Sequence, residues 1–283
     1  MEPDQRYGYG YLHATAATLQ NHQVARNDDV IEEINRSFVK RHDAVVIAHI
    51  FYEDLIDSVF DTYLSGTQTK CDLIVTVMLT DSHASLKKIK EKFANFYIIQ
   101  TSNRGRDIRP FIVALRKANE FGYQLGCKVH TKKSLHLFEG DEWRVKLLSS
   151  LIPNVDYVEK VVQRFSNFPT IELLASEISL HNLAEPALHV NNTQWLNTFL
   201  GKLGKDKLIG KYEFDFPAGS MFWFRTAALS QLLTDDFLSL DAFEFEARQL
   251  DGTAAHAVER IIGLLPTHNL FNMEVLTDEK QPP

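Results

Sequence analysis

The sequence predicts an α/β fold of the Rossmann-like type, with a mainly parallel central sheet covered by helices on both faces. Four short apolar runs rich in valine and isoleucine alternate with longer amphipathic stretches. Such continuous apolar runs are typical of strands that are buried on both faces. The runs occupy residues 44–51 (AVVIAHIF), 72–79 (DLIVTVML), 95–101 (NFYIIQT) and 127–131 (CKVHT).

Three amphipathic stretches predict the crossover helices that join these strands. They cover residues 53–64, 82–93 and 108–122, and each is long enough to return the chain for parallel pairing. In the third stretch Pro110 falls in the predicted first turn and Gly122 follows the last turn, as is common for helices. The order is therefore β-α-β-α-β-α-β.

The domain organisation follows from where this pattern begins and ends. Residues 1–36 show little periodicity and are predicted to be an N-terminal lead-in or linker. One domain is predicted over residues 37–270. Its first half, 44–150, carries the sheet, and its second half, 151–270, is more helical. Residues 271–283 are predicted to be a C-terminal tail.

Composition excludes several classes of protein. The 283 residues carry a formal net charge of −7, which argues against a nucleic-acid partner. Cys71 and Cys127 lie beside apolar runs and are predicted to be reduced core residues, as expected in the cytoplasm. We see no signal peptide and no apolar run of about 20 residues, so we expect a soluble cytoplasmic chain.

Polar and basic residues follow the predicted strands where each strand ends. In open parallel sheets, ligands bind beyond the carboxyl ends of the strands. Glycine lets a backbone approach an anion closely, and arginine binds phosphate in a bidentate manner. We therefore predict a nucleotide diphosphate site here. Its candidate residues are His49, Asn103, Arg104, Gly105, Arg106, Asp107, His130, Thr131, Lys132 and Lys133.

Structural alternatives stand beside these assignments. Asp107 can hold a sugar or ribose hydroxyl or orient an arginine, but it can also cap the following helix while Arg106 pairs with it. The HTKKS stretch can be an exposed basic turn. No GxGxxG, GxxxxGK[ST], HExxH or GxSxG motif occurs. Glu213 and Asp215 come nearest to a two-carboxylate metal pair, although an edge turn before Pro217 is the favoured reading.

Six blocks of sequence, in order, resemble the rhamnan synthesis protein F family of bacterial glycosyltransferases. The resemblance covers roughly residues 44–265, and members are often parts of longer polysaccharide synthases. The blocks are VVIAHIFYEDL, NRGRDIRPF, CKVHTKKSLH, GDEWR, AGSMFWFR and QLDGTAAHAVER.

The resemblance implies a GT-A-type glycosyltransferase fold, with a nucleotide-sugar-binding first half and an acceptor and catalytic second half. It implies inverting transfer of rhamnose from dTDP-L-rhamnose onto a cell-surface polysaccharide such as O-antigen or rhamnan. The implied partners are this donor, a glycan acceptor that can be lipid-linked, and other parts of the assembly machinery. Work on a lipid-linked acceptor would place the chain at the inner face of the cytoplasmic membrane.

The resemblance also implies site residues in the second half. An acidic general base is expected near the late D-G turn, where Asp251 is the first candidate and Glu244 and Glu246 are rivals. A structural role in the turn is the alternative for Asp251. On the acceptor side we expect Gly219, Ser220, Trp223, Trp143 and His256, although the aromatics and His256 can equally pack in the core.

The sequence departs from many GT-A enzymes because it contains no strict DxD motif for a divalent metal. Lys132, Lys133 and Arg106 can neutralise the leaving diphosphate instead, so we expect transfer without a metal cofactor. Two other readings remain open. One is the same fold with another donor, such as UDP-galactofuranose, and the other is a non-catalytic binding module of a larger synthase.

Overall fold

The structure, a computed structural model, describes residues 32–33, 38–78, 82–131, 140–247, 249–266 and 273–276. These ranges form an eight-stranded sheet with helices on both faces and a separate two-stranded ribbon. The α/β class and the mainly parallel sheet predicted from the sequence are confirmed.

The central sheet has the strand order β1-β4-β3-β2-β5-β9-β6-β10. Strands β2 to β5 are the four predicted strands, and they pair in parallel. Strand β9 runs antiparallel to its neighbours β5 and β6, and β1 runs antiparallel to β4. The strands are β1 (Glu32–Glu33), β2 (Ala44–Ile50), β3 (Asp72–Met78), β4 (Tyr97–Thr101), β5 (Leu125–His130), β6 (Leu173–Ser176), β7 (Leu180–Asn182), β8 (Asp215–Pro217), β9 (Phe222–Arg225) and β10 (Met273–Leu276), of which β7 and β8 form the ribbon.

The helices include all three predicted crossovers, with one difference in type. The segment predicted as a single helix over 53–64 is a 3₁₀ turn at Glu53–Leu55, one α-turn and a π-turn at Phe60–Leu64. The α-helices are α1 (Ile56–Val59), α2 (Ser82–Lys92), α3 (Ile108–Glu120), α4 (Gly140–Leu151), α5 (Val155–Asn167), α6 (Pro186–His189), α7 (Thr193–Lys202) and α8 (Ala254–Ile261).

Two apolar cores lie on opposite faces of the sheet because successive strand residues point to opposite sides. On β2, Val45 and Ile47 belong to the core that packs against α3, α7 and α8. Their neighbours Val46 and Ala48 belong to the core beneath α4 and α5. Continuous burial of β2 to β5 therefore explains why these strands read as unbroken apolar runs.

The second half of the chain contributes more strands than its sequence suggests. The aromatic run Phe222–Arg225 was expected to form an acceptor-side wall, but it is strand β9 in the middle of the sheet. The sheet is therefore continuous across the boundary predicted near residue 150. Short strands at Glu32–Glu33 and Met273–Leu276 also fall in the segments predicted as lead-in and tail.

Both cysteines are buried and free, in agreement with their predicted core role. Burial raises the pKa of the Cys71 thiol to about 12, so this group stays protonated near neutral pH. Among the described residues no helix combines the length and the apolar character needed to cross a membrane.

The close approach of β5 and β9 explains why Gly126 has no side chain. A Cβ atom placed on Gly126 would lie 2.3 Å from Cζ of Phe224, which is fully buried. We expect Gly126→Ala to lower the free energy of unfolding by about 1–3 kcal/mol through overpacking.

Urea denaturation measures this change, and Gly201→Ala is its matched control. Gly201 lies in helix α7, and a Cβ there would meet its nearest atom, Oδ1 of Asp206, at 3.8 Å. The control should be neutral or stabilising by up to about 1 kcal/mol. Equal stability of Gly126→Ala and the wild type would contradict the packing described here.

Candidate functional site

A buried cluster of polar and charged side chains lies at the carboxyl edge of the parallel strands. We call Asp107, Lys128, His130 and Ser220 the carboxyl-edge cluster. Nζ of Lys128 lies 2.5 Å from Oδ2 of Asp107 and 2.9 Å from Oγ of Ser220. The Ser220 hydroxyl lies 2.5 Å from the same Asp107 oxygen, and Nδ1 of His130 lies 3.4 Å from it.

Strand geometry brings these groups together. Lys128 and His130 are two residues apart on β5, so they share one face of the sheet. Asp107 precedes helix α3, and Ser220 lies in the turn before β9 with a positive φ of 52°. Lys128 also donates to the carbonyl oxygen of Ser220 at 2.7 Å, so the turn is held directly against β5.

The charges in this cluster depend on one another. Lys128 is 1% exposed, and a lysine so deeply buried needs an opposite charge. Burial alone would raise the pKa of Asp107, but the charges of Lys128 and His130 and hydrogen bonds from Lys128 and Ser220 hold it well below its usual value. Asp107 is therefore a carboxylate at neutral pH.

His49 adjoins the cluster from β2. It lies beside His130 in the strand register, and its Nδ1 is 2.9 Å from Oγ1 of Thr76 on β3. Burial lowers its pKa to about 4, opposed by Asp107 and supported by Lys128. His49 is therefore a neutral imidazole. Thr131, also a predicted site residue, instead uses its hydroxyl to accept from the amides of Phe51 and Tyr52.

The basic loop NRGRD has a different role from the predicted phosphate cradle. It pairs with residues 244–246, because the Gly105 amide donates to the Glu244 carbonyl and the Glu246 amide donates to the Asn103 carbonyl. The amides of Ile108 and Arg109 donate to the carbonyl of Gly105. These amides are occupied within the protein. The predicted diphosphate site at the start of α3 therefore cannot use the Gly105, Ile108 or Arg109 amides, and it stays a prediction for the side chains of this loop.

Two of the three arginines in the longer block NRGRDIRPF hold the same late segment. Arg104 donates to the carbonyls of Phe243 and Asp241, each at 2.5 Å. Arg109 is buried and donates to the carbonyl of Leu240 at 3.2 Å. Glycine is required at position 105 because its φ is 66° and a Cβ would lie 2.6 Å from Cβ of Arg109. Most of this positive charge serves the fold.

Arg106 is the arginine that reaches the site. Its φ is 55°, a left-handed conformation that is uncommon for a residue with a side chain. Its Nη1 contacts Nε2 of His256 and lies 3.3 Å from the carbonyl oxygen of Gln249, and its Nε lies 4.0 Å from Oε2 of Glu246. The side chain is 38% exposed, so part of the guanidinium faces solvent.

Helix α8 links Arg106 to the predicted base. Asp251 lies just before this helix, and its Oδ1 accepts from Nδ2 of Asn192 at 2.7 Å and from Nη2 of Arg260 at 3.0 Å. His256 lies between Asp251 and Arg106. Its Nδ1 is 2.7 Å from Oγ1 of Thr253, where the two residues form a capping box.

His256 is a neutral side chain packed in the core, which was the alternative to an acceptor-side role. Burial lowers its pKa to about 4, with a further contribution from Arg106 that Glu259 and Asp251 oppose. The rival base Glu244 accepts from the Ala254 amide at 3.0 Å, so it satisfies the first turn of α8. Glu246 lies beside Arg106, and Asp251 is linked to Arg106 through His256.

The residues predicted for the acceptor side separate into two groups. Gly219 and Ser220 lie at the site, and the Gly219 amide donates to Oε1 of Glu259 at 2.7 Å. Trp223 is fully buried and donates to the Leu151 carbonyl, so it has no face for a sugar and its predicted role is corrected. Trp143 is half-buried against the same core. Lys132 and Lys133 lie outside the described residues.

Three residues of the site were not predicted from the sequence: Lys128, Asn192 and Arg260. Lys128 carries a readable signal, because a lysine inside the apolar run CKVH is placed where burial is expected. Asn192 reaches Asp251 through a tertiary contact over 59 residues and no local pattern marks it, whereas Arg260 ends the block QLDGTAAHAVER that contains Asp251.

Within the described ranges no three His, Cys, Asp or Glu side chains converge as metal ligands. Glu213 and Asp215 are both exposed, and Asp215 begins strand β8 and accepts from Nδ2 of Asn182 at 2.7 Å. Strand β8 of the two-stranded ribbon therefore lies where a turn before Pro217 was expected.

The two buried histidines give the stability a defined pH dependence. Because the pKa values of His49 and His256 are about 4 in the folded chain and 6.5 ordinarily, the unfolded chain binds more protons between these values. The free energy of unfolding should therefore be fully retained above about pH 6.5. Below that pH it should fall by about 1 kcal/mol per pH unit for each histidine.

Urea denaturation from about pH 5 to pH 8 measures this slope. His49→Gln and His256→Gln should each reduce it. A slope that is unchanged in both variants would refute the assignment of these imidazoles as neutral.

Comparison with known proteins places the chain in a family. The model for rhamnan synthesis protein F matches residues 12–271, a range that includes all six motifs and begins within the predicted lead-in. Two curated relatives, each named uncharacterized protein WxcX, come from Xanthomonas campestris pv. campestris strains B100 and ATCC 33913. Each is 35% identical over 270 residues, which is 95% of this chain. The chain spans 36% of the length of these relatives. By the extent of the family match, this protein belongs to the rhamnan synthesis protein F family.

Proposed function

We propose that the chain is an inverting glycosyltransferase of the GT-A type that transfers L-rhamnose from dTDP-L-rhamnose onto a growing cell-surface polysaccharide. Family membership indicates a part in polysaccharide biosynthesis. The observation that carries the proposal is a pair of carboxylates linked through the contact between Arg106 and His256. Asp107 follows Arg106 directly in sequence, Oδ1 of Asp251 lies 4.0 Å from Nδ1 of His256, and each carboxylate is bound by the protein through one oxygen.

The donor would bind between the carboxyl-edge cluster and Arg106. Among the described residues, the hydrogen bonds and ion pairs of Asp107 go to its Oδ2 atom, and its side chain is 23% exposed. Its Oδ1 atom would therefore accept a hydrogen bond from a ribose or sugar hydroxyl. Arg106 would bind the diphosphate with its exposed edge. Lys132 and Lys133, which follow β5 directly in sequence, would add charge there.

In this mechanism, Asp251 takes the proton from the acceptor hydroxyl. The acceptor oxygen then bonds to C1 of the sugar as the bond from C1 to the diphosphate breaks. The electron pair of the broken bond leaves with dTDP, whose new charge Arg106 and the lysines stabilise. A general base in this position contributes about 10²–10⁴-fold to the rate.

A different donor on the same site, such as UDP-galactofuranose, is the second candidate. The contacts described above address the diphosphate and hydroxyls, which both donors share. Calorimetric titration with dTDP and UDP, each in EDTA and then in Mg²⁺, separates the two. Tighter binding of dTDP, unchanged by Mg²⁺, is the expected result. A requirement for Mg²⁺ would contradict transfer without a metal.

Arg106→Ala should weaken dTDP binding about 10–100-fold, because one charge-assisted contact to the diphosphate is lost. Arg116→Ala is the matched control. Arg116 lies on the same helix α3 but pairs with Asp235 at the surface, at 2.6 Å. Calorimetry on both variants measures the difference. If Arg106→Ala binds dTDP with wild-type affinity, the diphosphate does not bind at Arg106.

Asp251→Asn should lower turnover at least about 10²-fold while leaving dTDP affinity within about twofold, because the base acts on the acceptor. Asp235→Asn, which changes an exposed carboxylate, should retain full turnover. Release of dTDP from dTDP-L-rhamnose provides the assay. Turnover above about a tenth of the wild-type rate would leave the chain without this base and favour a non-catalytic binding module.

A further inference from the structure

We propose that Asn192 and Arg260 are positioning residues that hold Asp251 by its Oδ1 atom and thereby present Oδ2 to the acceptor hydroxyl. The inference rests on the proposed function, in which Asp251 is the base. It assigns a role to two residues that were not among the predicted site residues.

The two contacts to Asp251 converge on one oxygen. Nδ2 of Asn192 lies 2.7 Å from Oδ1 and Nη2 of Arg260 lies 3.0 Å from it, while Nδ1 of His256 is too far for a hydrogen bond at 4.0 Å. Among the described residues Oδ2 accepts no hydrogen bond, and the Asp251 side chain is 16% exposed, so this is the oxygen left to face an acceptor.

Arg260 is fixed by contacts other than the one to Asp251. Its Nε donates to the Leu188 carbonyl, its Nη1 donates to the His256 carbonyl at 2.8 Å, and its guanidinium lies 5.9 Å from the Phe216 ring centroid. These contacts set the plane of the guanidinium without help from Asp251. Arg260 can therefore orient the Asp251 carboxylate.

Asn192 is an unfavourable choice if stability is the sole requirement. The residue is fully buried, and its Oδ1 has no hydrogen-bond partner among the described residues. A buried amide that satisfies half of its polar atoms costs more than an apolar side chain of similar size. Its one side-chain hydrogen bond goes to Asp251, so orientation of that carboxylate accounts for its presence.

The backbone fixes the distance between the two residues. Gly252, directly after Asp251, has a φ of 86°, and a Cβ on it would lie 3.2 Å from the carbonyl oxygen of Asn191. The D-G turn therefore packs closely against the segment that carries Asn192. A structural role in this turn was the alternative to catalysis for Asp251. The turn in fact brings the Asp251 carboxylate to Asn192.

The test is a double-mutant cycle between Asn192→Leu and Asp251→Asn. Steady-state release of dTDP from dTDP-L-rhamnose is measured for the full chain, with p-nitrophenyl α-L-rhamnoside as acceptor and also without it. UDP-galactofuranose is measured in parallel, with release of UDP as the readout. We expect Asn192→Leu to lower kcat about tenfold or more, with the KM of the donor within about twofold.

In the Asp251→Asn background, Asn192→Leu should have no further effect beyond about twofold, because its action passes through Asp251. An equal loss of kcat in both backgrounds, or no loss in the wild-type background, would overturn the inference. Asn191→Ala serves as the matched control, since that neighbouring asparagine is exposed, and it should retain wild-type kcat.

Two more variants guard against loss of folding. Asn192→Ala and Arg260→Lys are measured in the same cycle, and thermal unfolding shows which variants are folded. Lysine keeps the charge but lacks the planar fork, so Arg260→Lys should also lose kcat only where Asp251 is present. If Asp251→Asn abolishes turnover while the Asn192 and Arg260 variants keep it, the positioning role alone fails. If the wild type turns over neither donor, the proposed function fails and takes this inference with it.

Discussion

The ion pair between Lys128 and Asp107 is the interaction on which the site depends. It joins the end of β5 to the start of α3, and through Ser220 it also holds the turn before β9. Because Lys128 is almost fully buried, loss of its partner would leave an uncompensated charge, which costs about 3–5 kcal/mol in comparable pairs. A hydrophobic substitute could match the stability but would not leave a carboxylate at the carboxyl edge of the sheet.

Helix α8 extends this arrangement to the second carboxylate. Its residues His256, Glu259 and Arg260 contact Arg106, Gly219 and Asp251 in turn. One short helix therefore fixes the loop before α3, the turn before β9 and the D-G turn relative to one another. The site is built from segments far apart in sequence, and α8 is the element that they share.

Local patterns predicted the parts of the fold that depend on burial. Strands β2 to β5 were recognised because both of their faces are covered, which gives unbroken apolar runs. Strand β9 was not recognised, because four residues, three of them aromatic, beside a glycine turn do not reveal their neighbours β5 and β6. Its position depends on contacts over about a hundred residues, which no local window contains.

The location of the site stays a prediction from the fold class, because ligands of open parallel sheets bind beyond the carboxyl ends of the strands. In the structure Asp107 contacts Lys128 near the end of β5, and Arg106 is linked to Asp251 through His256. Arg104, one of the predicted site residues, donates to carbonyl oxygens, since a basic loop can serve carbonyl oxygens as well as phosphates. Sequence alone does not show which acceptor a guanidinium will find.

The placement of β9 also has a consequence for how the chain folds during synthesis. Strand β5 can pair with β2 as soon as both have left the ribosome, but its other edge stays open until β9 arrives roughly a hundred residues later, a delay of about 5–20 seconds at ordinary synthesis rates. During that interval one edge of β5 has unpaired backbone groups, and such an edge can pair with the wrong strand or with another chain. Lys128 lies on this strand, and Asp107, which is synthesised before it, can already pair with it, whereas its contacts to Ser220 form only when the turn before β9 arrives.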